Sequence, residues 1–360
     1  MKKILLIGSY GRGNLGDDAF IYAAIKLFPN CEIYINSAND EFLPKDLRSR
    51  VKSIQTTGMG DFVTKIRTLF SVSHVVYFGG DLWVELYGDR FPRMSLYKMA
   101  ILNCVLKVLG KKIAYFGCGA GKIKGYSLFL ARVSACLASV IIVREQNSKD
   151  VLNLEKIQVL PDVTINLFEL VDKQNFPSRE IGISVMYYIP DPVTNYKKYV
   201  QDLKNLIVYL HNTYNFRIKL IPMLISDDVH DDQHVCEDIL KELGDVDRVS
   251  IMEYDGIDNF LTQLSLFDIV ISTRLHGSIL SILSKVPAIG ISYRPKVASF
   301  FKKINLPNFA VAIDEIESIK IIVGDTLLNY NDVIDRIDKA RLELLTFKNE
   351  YDDAAKNFIK

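Results

Sequence analysis

Short, wholly apolar strand candidates alternate with amphipathic helix candidates along the whole chain, and this alternation restricts the fold more than any other feature. Residues 75–78 and 269–271 are uninterrupted apolar runs. Strands of this kind are buried on both faces, which is typical of parallel sheets covered by helices. Amphipathic helices are predicted between strands, for example over 17–27, 95–109 and 126–137. The alternation therefore predicts an α/β fold.

One polar break divides the strand candidates into two sets. The first set lies at 3–9, 32–36, 74–78, 112–117, 140–144 and 158–160, and the second at 181–186, 217–222, 250–253, 269–272 and 288–292. The break at 171–179 separates them. We therefore expect two Rossmann-like, doubly wound domains facing a cleft, over 1–172 and 180–330, with a helical tail over 331–360 packing back across both.

Bulk composition excludes several classes of protein. With 360 residues, 49% hydrophobic and 24% charged, the chain has the composition of a two-domain globular protein. A net charge of +1 argues against a nucleic-acid partner. Five scattered cysteines without a CxxC pair fit a reducing compartment. Because no apolar run reaches membrane-spanning length, a cytoplasmic location is expected, and contact with a membrane surface stays open.

A cationic motif follows the strand candidate at 269–272. Arg274, His276 and Gly277 come just before an apolar helix. Strand side chains alternate in direction, so Arg274 and His276 are expected to point the same way if the strand continues through them. Beside a helix start they would form an anion-binding and proton-donating corner. The alternative is a structural Arg–His pair.

A glycine-rich loop follows the first strand candidate. Gly11, Gly13 and Gly16 match GxGxxG, which raises the possibility of dinucleotide binding. Asp17 and Asp18 weaken this interpretation, since they stand at the helix start where a pyrophosphate would sit. The two acids suit helix capping or hydrogen bonds to sugar hydroxyls.

A second loop, at 79–83, combines paired glycines with Asp81 and the only tryptophan, Trp83. Such a loop allows close approach of a sugar, with a carboxylate for its hydroxyls and an indole for its face. A turn with a packed indole explains the same residues. In the loop at 117–122 the phosphate-loop spacing is missing, and Cys118 is expected to be passive.

Two further segments have competing interpretations. Arg144 ends a strand candidate and could direct its guanidinium to a carboxylate or phosphate, or pair with Glu145. His230 and His234 lie four residues apart among acids, a spacing that can hold a metal on a helix. A solvated, acid-rich first helical turn is the preferred interpretation of that segment, and no metal site is expected.

Together these segments resemble the polysaccharide pyruvyl transferase family. The matching motifs run in the family's order over nearly the whole chain: Asn14-Leu15-Gly16-Asp17, Gly79-Gly80-Asp81-Leu82, Arg144-Glu145, Pro161-Asp162, Arg274-Leu275-His276-Gly277, Val286-Pro287 and residues 293–297. Asp81 stands where a third glycine is usual in the family, and the 117–121 loop replaces a more polar version.

The resemblance implies a fold like that of GT-B glycosyltransferases. It also implies phosphoenolpyruvate as donor, no further cofactor, and a sugar diol of a cell-surface polysaccharide precursor as acceptor, including precursors carried on a lipid diphosphate. The product would be a cyclic pyruvate ketal. The two departures bear on the identity of the acceptor.

The residues suit this chemistry. Arg144, Arg274, Lys296 and Gly277 would bind the donor, and His276 would protonate its methylene carbon or only bind phosphate. On the acceptor side, Asp17 or Asp81 would orient or deprotonate a hydroxyl, with contacts from Asn14, Asp18 and Trp83.

Three other functions remain open at this stage. One is a GT-B glycosyltransferase that uses a nucleotide sugar, since a basic cleft serves a diphosphate equally well. A nicotinamide-dependent oxidoreductase acting through Gly11, Gly13 and Gly16 is another. The last is a noncatalytic glycan- or phosphate-binding protein.

Overall fold

The computed structural model describes residues 1–55, 61–84, 92–168, 177–187, 196–226, 231–244 and 248–360. They form two compact units, each built from segments that are distant in sequence. The first unit comprises Met1–Arg12, Asp17–Leu167 and Thr346–Lys360. The second unit comprises Gly13–Gly16 and Phe168–Leu345.

The first unit contains one parallel sheet. Its strands are β1 (Lys2–Tyr10), β2 (Cys31–Ser37), β3 (Lys52–Gln55), β4 (His74–Phe78), β5 (Asp81–Trp83), β6 (Lys112–Ala120), β7 (Val140–Val143) and β8 (Gln158–Val159). They lie in the order β3-β2-β1-β4-β6-β7-β8, with β5 beside β6. Every pairing is parallel, as the apolar strand candidates predict.

Helices connect these strands. They are α1 (Leu15–Leu27), α2 (Lys45–Arg50), α3 (Asp61–Ser71), α4 (Pro92–Val108), α5 (Gly125–Cys136) and α6 (Gln146–Leu152), with 3-10 turns at Asp40–Phe42 and Val163–Leu167. The side chains of β4 and β6 alternate between the two faces of the sheet. Tyr77 stacks on Tyr115 on one face, with ring centroids 4.6 Å apart, while Phe78 stacks on Phe116 at 6.0 Å. Both faces are therefore packed, which explains the unbroken apolar runs.

The second unit contains a second parallel sheet. Its strands are β9 (Glu180–Ser184), β10 (Arg217–Ile221), β11 (Val249–Ile251), β12 (Ile269–Ser272), β13 (Ala288–Ser292) and β14 (Ala310–Ala312). The order β11-β10-β9-β12-β13-β14 is the doubly wound arrangement. Strands are added to one side from β9 to β11 and to the other side from β12 to β14, so the direction of winding reverses between β9 and β12. Ligands of such sheets bind at the carboxyl ends of the strands next to this reversal.

The remaining helices follow in chain order. They are α7 (Tyr196–Tyr214), α8 (Asp232–Leu243), α9 (Gly256–Leu264), α10 (Leu275–Leu283), α11 (Pro295–Lys303), α12 (Ile319–Leu328) and α13 (Tyr330–Ile359), with 3-10 turns at Pro307–Phe309 and Ile313–Ser318. Helix α13 contributes to both units. Within the second unit, the Tyr330 hydroxyl donates to the Asp268 carbonyl at 3.2 Å. Within the first, the Tyr351 hydroxyl donates to the Pro161 carbonyl at 2.8 Å.

Most predicted strands are present, and the predicted α/β fold with two doubly wound sheets is confirmed. Three short strands, β3, β5 and β14, were not predicted, because three or four residues carry too little periodicity. The predicted break at 171–179 lies mostly outside the described residues, so the boundaries 1–172, 180–330 and 331–360 stay predictions. Within the described residues, none of the helices is both long and apolar enough to cross a bilayer.

Candidate functional site

Two matched turns lie at the carboxyl edge of the second sheet. They follow β12 and β13, and they read Ser272-Thr273-Arg274-Leu275-His276 and Ser292-Tyr293-Arg294-Pro295-Lys296. In each turn the serine hydroxyl donates to the carbonyl of the arginine two residues later, at 2.7 Å in the first turn and 2.9 Å in the second. Each arginine has extended backbone and caps the following helix. The same local structure therefore occurs twice.

The matched turns bring two helix N-termini to one place. Strands β12 and β13 are parallel neighbours, so α10 and α11 start at the same edge of the sheet. His276 and Lys296 are each the second residue of their helix. Backbone N–H groups at helix starts attract anions, and a cationic side chain in each first turn adds to that attraction. This edge suits a ligand with two anionic groups.

The sequence-based placement of Arg274 and His276 on one strand is wrong. Strand β12 ends at Ser272, and Arg274 is the N-cap of α10. His276 lies in the first helical turn and is half-buried. Strand alternation therefore does not determine the relative directions of these two side chains, and the two residues have separate roles.

Arg274 is held by a buried carboxylate. Its Nε donates to Asp232 Oδ2 at 2.9 Å and its Nη2 donates to Oδ1, so the pair is bidentate. Asp232 is fully buried. The neighbouring carboxylate raises the pKa of Arg274 even though burial lowers it. Because its charge is already balanced, the predicted donor-binding role of Arg274 is reduced to the guanidinium hydrogens that this pair does not use.

Asp232 also holds the backbone next to it. Its carboxylate accepts hydrogen bonds from the N–H groups of Met223 at 3.2 Å and Leu224 at 3.0 Å. It thus connects Arg274 to the segment after β10, a role that the sequence did not reveal. Its neighbour Asp231 caps α8 and pairs with His234. His230, the other histidine of the considered metal spacing, lies outside the described residues.

Residues 13–16 pair with the segment that Asp232 holds. Asn14 forms an antiparallel bridge with Leu224. The Leu15 N–H donates to the Met223 carbonyl at 2.9 Å, and the Ile225 N–H donates to the Gly13 carbonyl at 2.9 Å. The Leu15 N–H, at the start of α1 where a dinucleotide pyrophosphate would bind, is therefore occupied within the protein. This pairing speaks against the oxidoreductase interpretation of the glycine-rich loop.

Gly16 lies directly against His276. A Cβ atom at position 16 would come within 2.1 Å of the imidazole Nδ1. Only glycine allows this approach, so the segment 13–16 determines where the imidazole can sit. The Asn14 side-chain oxygen accepts from the Gly16 N–H at 3.0 Å and fixes the turn, which is a different role from the predicted acceptor contact.

Gly277 has a packing role. A Cβ atom there would come within 2.2 Å of the Ser272 hydroxyl oxygen and 3.1 Å of the Met223 sulfur. Gly277 is therefore required for close packing of α10 on β12, and its predicted contact with the donor stays a prediction.

Two cations, Arg294 and Lys296, lie at the second matched turn. Among the described residues, neither Lys296 nor Arg294 forms an ion pair with an acid, and both lie near the Tyr293 ring, at 5.5 and 5.7 Å from its centroid. Lys296 was predicted from the sequence as a donor-binding residue, and Arg294 was not. The repeated Ile-Ser-x-Arg-x-His/Lys pattern at 271–276 and 291–296 was the signal that could have found it.

The first unit places Asp81 and Arg144 together at the carboxyl edge of its sheet. Arg144 ion-pairs with Asp81 and, at 3.3 Å, with Asp162. Its side chain is 7% exposed, Asp162 is 4% exposed and Asp81 is 36% exposed. The two acids outnumber the one guanidinium, so the predicted donor-binding role of Arg144 is not supported. Arg144 instead orients Asp81, whose carboxylate is the exposed member of the cluster.

The interpretation of Trp83 as a sugar-stacking residue is wrong. Its indole is fully buried and lies 4.6 Å from the Tyr115 ring, between centroids. Its Nε1 donates to the Ser134 hydroxyl at 3.3 Å. Trp83 belongs to the core, as the alternative of a packed indole predicted. Cys118 is likewise buried, with a pKa raised by burial, which fits a passive thiol.

Asp17 and Asp18 lie at the start of α1, in the first unit. Asp18 is buried, and one of its oxygens has no hydrogen-bond partner in the described structure. Burial and, less strongly, the nearby Asp17 raise the pKa of Asp18 to about 8, against the opposing effect of a hydrogen bond from the Gly11 N–H. Asp18 is therefore protonated at neutral pH and can donate a hydrogen bond.

The raised pKa of Asp18 predicts a pH-dependent stability. In the unfolded chain an aspartate has a pKa near ~3.9, so the unfolded state loses this proton first as the pH rises. Stability contributed by the protonated form is lost between about pH 4 and about 8, and Asp18→Asn removes that loss. Urea unfolding at pH 5 and pH 8 should show a larger gain in stability of Asp18→Asn over the parent chain at pH 8 than at pH 5.

A matched substitution controls for the general effect of removing an acid. Asp150→Asn changes an exposed residue of α6 and should leave the difference between the two pH values unchanged. An Asp18→Asn variant with the same stability difference from the parent chain at both pH values would contradict the assignment.

Solved structures share the architecture of both units. The chain is similar to HepE from Anabaena, solved with UDP and glucose, at 12% identity, covering 99% of this chain and 100% of that one with a TM-score of 0.63. It is also similar to a sucrose-phosphate synthase from Thermosynechococcus elongatus (12% identity, 96% and 95% coverage, TM-score 0.59). A third similar structure is a UDP-GlcNAc 2-epimerase from Methanocaldococcus jannaschii (14%, 90% and 92%, 0.56). At these identities the likeness shows the fold, which is GT-B-like.

Sequence comparison identifies the family. No curated protein matches the chain significantly. The sequence model of the polysaccharide pyruvyl transferases matches residues 14–295, a span that begins in the Asn14 turn and includes His276. Because this match covers most of the chain, the protein belongs to the polysaccharide pyruvyl transferase family.

Proposed function

We propose that the protein transfers the pyruvyl group of phosphoenolpyruvate to two hydroxyls of a sugar in a cell-surface polysaccharide precursor, forming a cyclic ketal. The observation that carries this proposal is the family match over residues 14–295. The residues of each unit support it separately, since one unit presents cations at helix starts and the other presents carboxyl groups.

The second unit suits the donor. Phosphoenolpyruvate carries a carboxylate and a phosphate, and the two matched turns offer two helix N-termini with His276 and Lys296 in equivalent positions. Arg294 adds a third cation. Arg274 contributes the guanidinium N–H donors that its pair with Asp232 does not use.

The first unit suits a neutral acceptor. Carboxyl groups predominate at its site, because Arg144 is balanced by Asp81 and Asp162. An excess of acid repels an anionic donor and accepts hydrogen bonds from sugar hydroxyls. Asp81 would orient or deprotonate the attacking hydroxyl, with Asp17 as the other candidate base. The protonated Asp18 serves as a hydrogen-bond donor.

The reaction follows from these roles. His276 gives a proton to the methylene carbon of phosphoenolpyruvate, which leaves an oxocarbenium-like centre at the neighbouring carbon. One sugar hydroxyl adds to that centre and releases its proton to a carboxylate such as that of Asp81. The second hydroxyl then displaces inorganic phosphate, gives its proton to that phosphate and closes the ketal, while the cations of the matched turns stabilise the departing phosphate. The scheme uses phosphoenolpyruvate as co-substrate and assigns no step to a metal or cofactor.

The setting of the reaction belongs to the same proposal. A cytoplasmic enzyme would meet phosphoenolpyruvate where central metabolism makes it, and would modify the glycan before export. Acceptors carried on a lipid diphosphate fit this order of events.

A second candidate function is glycosyl transfer from a nucleotide sugar. It is favoured by the similarity to HepE, whose structure contains UDP and glucose. The matched turns would hold a nucleotide diphosphate as readily as phosphoenolpyruvate. A noncatalytic glycan- or phosphate-binding protein would need the same anion contacts without a proton donor.

One product assay separates these functions. The purified protein is incubated with lipid-linked oligosaccharides of known composition and either phosphoenolpyruvate or UDP-sugars, and phosphate release and product mass are followed. We expect phosphate release only with phosphoenolpyruvate. The glycan product should gain the mass of one pyruvic acid minus one water. A glycan heavier by one sugar would establish the glycosyltransferase. Saturable binding without any product would establish the binding protein.

A further inference from the structure

Three neighbouring helices of the first unit expose an unusual amount of apolar surface. Of the sixteen large apolar side chains that are exposed in the described part of the chain, nine lie on α3, α4 and α5. They are Ile66, Phe70, Met94, Tyr97, Ile101, Val105, Val108, Tyr126 and Phe129. Scattered exposed apolar residues need no explanation, but this concentration does. We call these nine residues the outer apolar face.

The three helices lie in one layer, on the same face of the first sheet. Leu69 of α3, Leu96 of α4 and Leu130 of α5 pack into a single core cluster with Tyr77 and Tyr115. Since each helix buries one side in this cluster, its exposed side points away from the sheet into solvent. Helices α4 and α5 also pack against each other. The outer apolar face is therefore one surface of the molecule.

The apolar residues follow helical spacing. Tyr97, Ile101, Val105 and Val108 are separated by four, four and three residues along α4, so they form one stripe. On α5, Tyr126 and Phe129 stack with ring centroids 6.1 Å apart. Val108 is 87% exposed and Phe129 is 59% exposed. A helix with an apolar core side and an apolar outer stripe lacks the polar face of an ordinary surface helix.

The charged residues of α4 and α5 have a single sign. Residues 92–143, which include α4 and α5, contain eight basic residues and no aspartate or glutamate. The basic residues are Arg93, Lys98, Lys107, Lys111, Lys112, Lys122, Lys124 and Arg132. The whole chain has a net charge of only +1, so the rest of the protein is acidic by comparison. Positive charge is thus segregated to the part of the chain that carries the outer apolar face.

We propose that the outer apolar face docks on the surface of an anionic phospholipid bilayer. Apolar and aromatic side chains insert into the interface between head groups and acyl chains, and the flanking lysines attract the acidic lipids. A second copy of this chain is a poorer occupant, because a symmetric contact would bring the same basic charges against each other. Vesicle binding does not depend on the transferase activity, so the two proposals can fail separately.

The test measures binding of the purified full chain to vesicles by flotation. Neutral vesicles of phosphatidylcholine are compared with vesicles that also contain phosphatidylglycerol, at low and high salt. We expect binding to the anionic vesicles and at least about a tenfold weaker partition at high salt or without the anionic lipid. Equal binding to neutral and anionic vesicles would overturn the proposed role of the lysines.

Paired substitutions locate the contact. Tyr126→Ser with Phe129→Ser removes exposed apolar surface, and Lys98→Glu with Lys107→Glu reverses charge. Each pair should lower partition into anionic vesicles about tenfold or more. The matched control, Ile321→Ser with Leu328→Ser, changes equally exposed apolar residues of α12 and should bind like the parent chain. Circular dichroism checks that each variant is folded.

Two other outcomes would overturn the proposal. One is that both test variants are folded and still partition into anionic vesicles as strongly as the parent chain. The other is failure to bind any vesicle together with a dimer, measured by light scattering, that Tyr126→Ser with Phe129→Ser converts to monomer. That second result would assign the surface to another copy of the chain.

Discussion

The His276→Ala variant is expected to lose ketal formation by at least about a hundredfold while its affinity for phosphoenolpyruvate falls only slightly. An alanine cannot supply the proton that the methylene carbon needs, but the helix starts, Lys296 and Arg294 still bind the two anionic groups. Turnover measured by phosphate release and affinity measured by calorimetry separate the two effects. Lys296→Ala should show the opposite pattern, with a larger loss of affinity.

His234→Ala is the matched control for the loss of an imidazole. His234 is half-buried and pairs with Asp231, and hydrogen bonding to that acid raises the pKa of the imidazole. Its removal should leave turnover unchanged, and the same result would argue against catalysis by a metal at this segment. Near-normal turnover in His276→Ala, or equal losses in both histidine variants, would refute the assignment of His276 as the acid.

The Asp232→Ala variant is expected to lose about 3–5 kcal/mol of stability. It leaves the partly buried guanidinium of Arg274 without its partner and removes the acceptor for the N–H groups of Met223 and Leu224. Denaturant unfolding measures the loss. Hydrogen exchange should locate it, with faster exchange at Leu15 and Ile225, whose N–H groups bond within the pairing that Asp232 supports.

A surface acid and a double variant serve as controls. Asp202→Ala removes an exposed ion pair with Lys198 and should cost under about 1 kcal/mol. Replacing both Asp232 and Arg274 with apolar residues should cost less than the sum of the single changes, because no charge stays buried alone. If Asp232→Ala is as stable as Asp202→Ala, the central role of Asp232 is wrong.

Elements with strong local patterns were predictable from the sequence. Strands β4, β12 and β13 coincide with their predicted ranges, because short apolar runs bounded by glycine or polar residues are typical of covered parallel strands. Helix α5 lies within one residue of its predicted range, 126–137, at each end. The loops at the carboxyl edges of these strands were correctly predicted to carry the unusual residues.

Side-chain partners were not predictable, because they depend on contacts between distant segments. Arg274 and Asp232 are 42 positions apart, and Arg144 and Asp81 are 63 positions apart. From local sequence, each arginine looked available for a ligand. Trp83 looked exposed because it follows a glycine turn, but burial of its large ring in the core outweighs local turn chemistry.

The division of the chain into discontinuous units has a consequence for the order of folding. Residues 13–16 leave the ribosome early, yet their partners at 223–225 are synthesised some two hundred residues later. The core of the first unit also stays incomplete until the last turns of α13 are synthesised, because Phe358 packs against His74 and Phe116. Neither unit can finish folding while the nascent chain is still short. A fragment ending at Leu167 would therefore expose Phe116 and aggregate, however well its sheet forms.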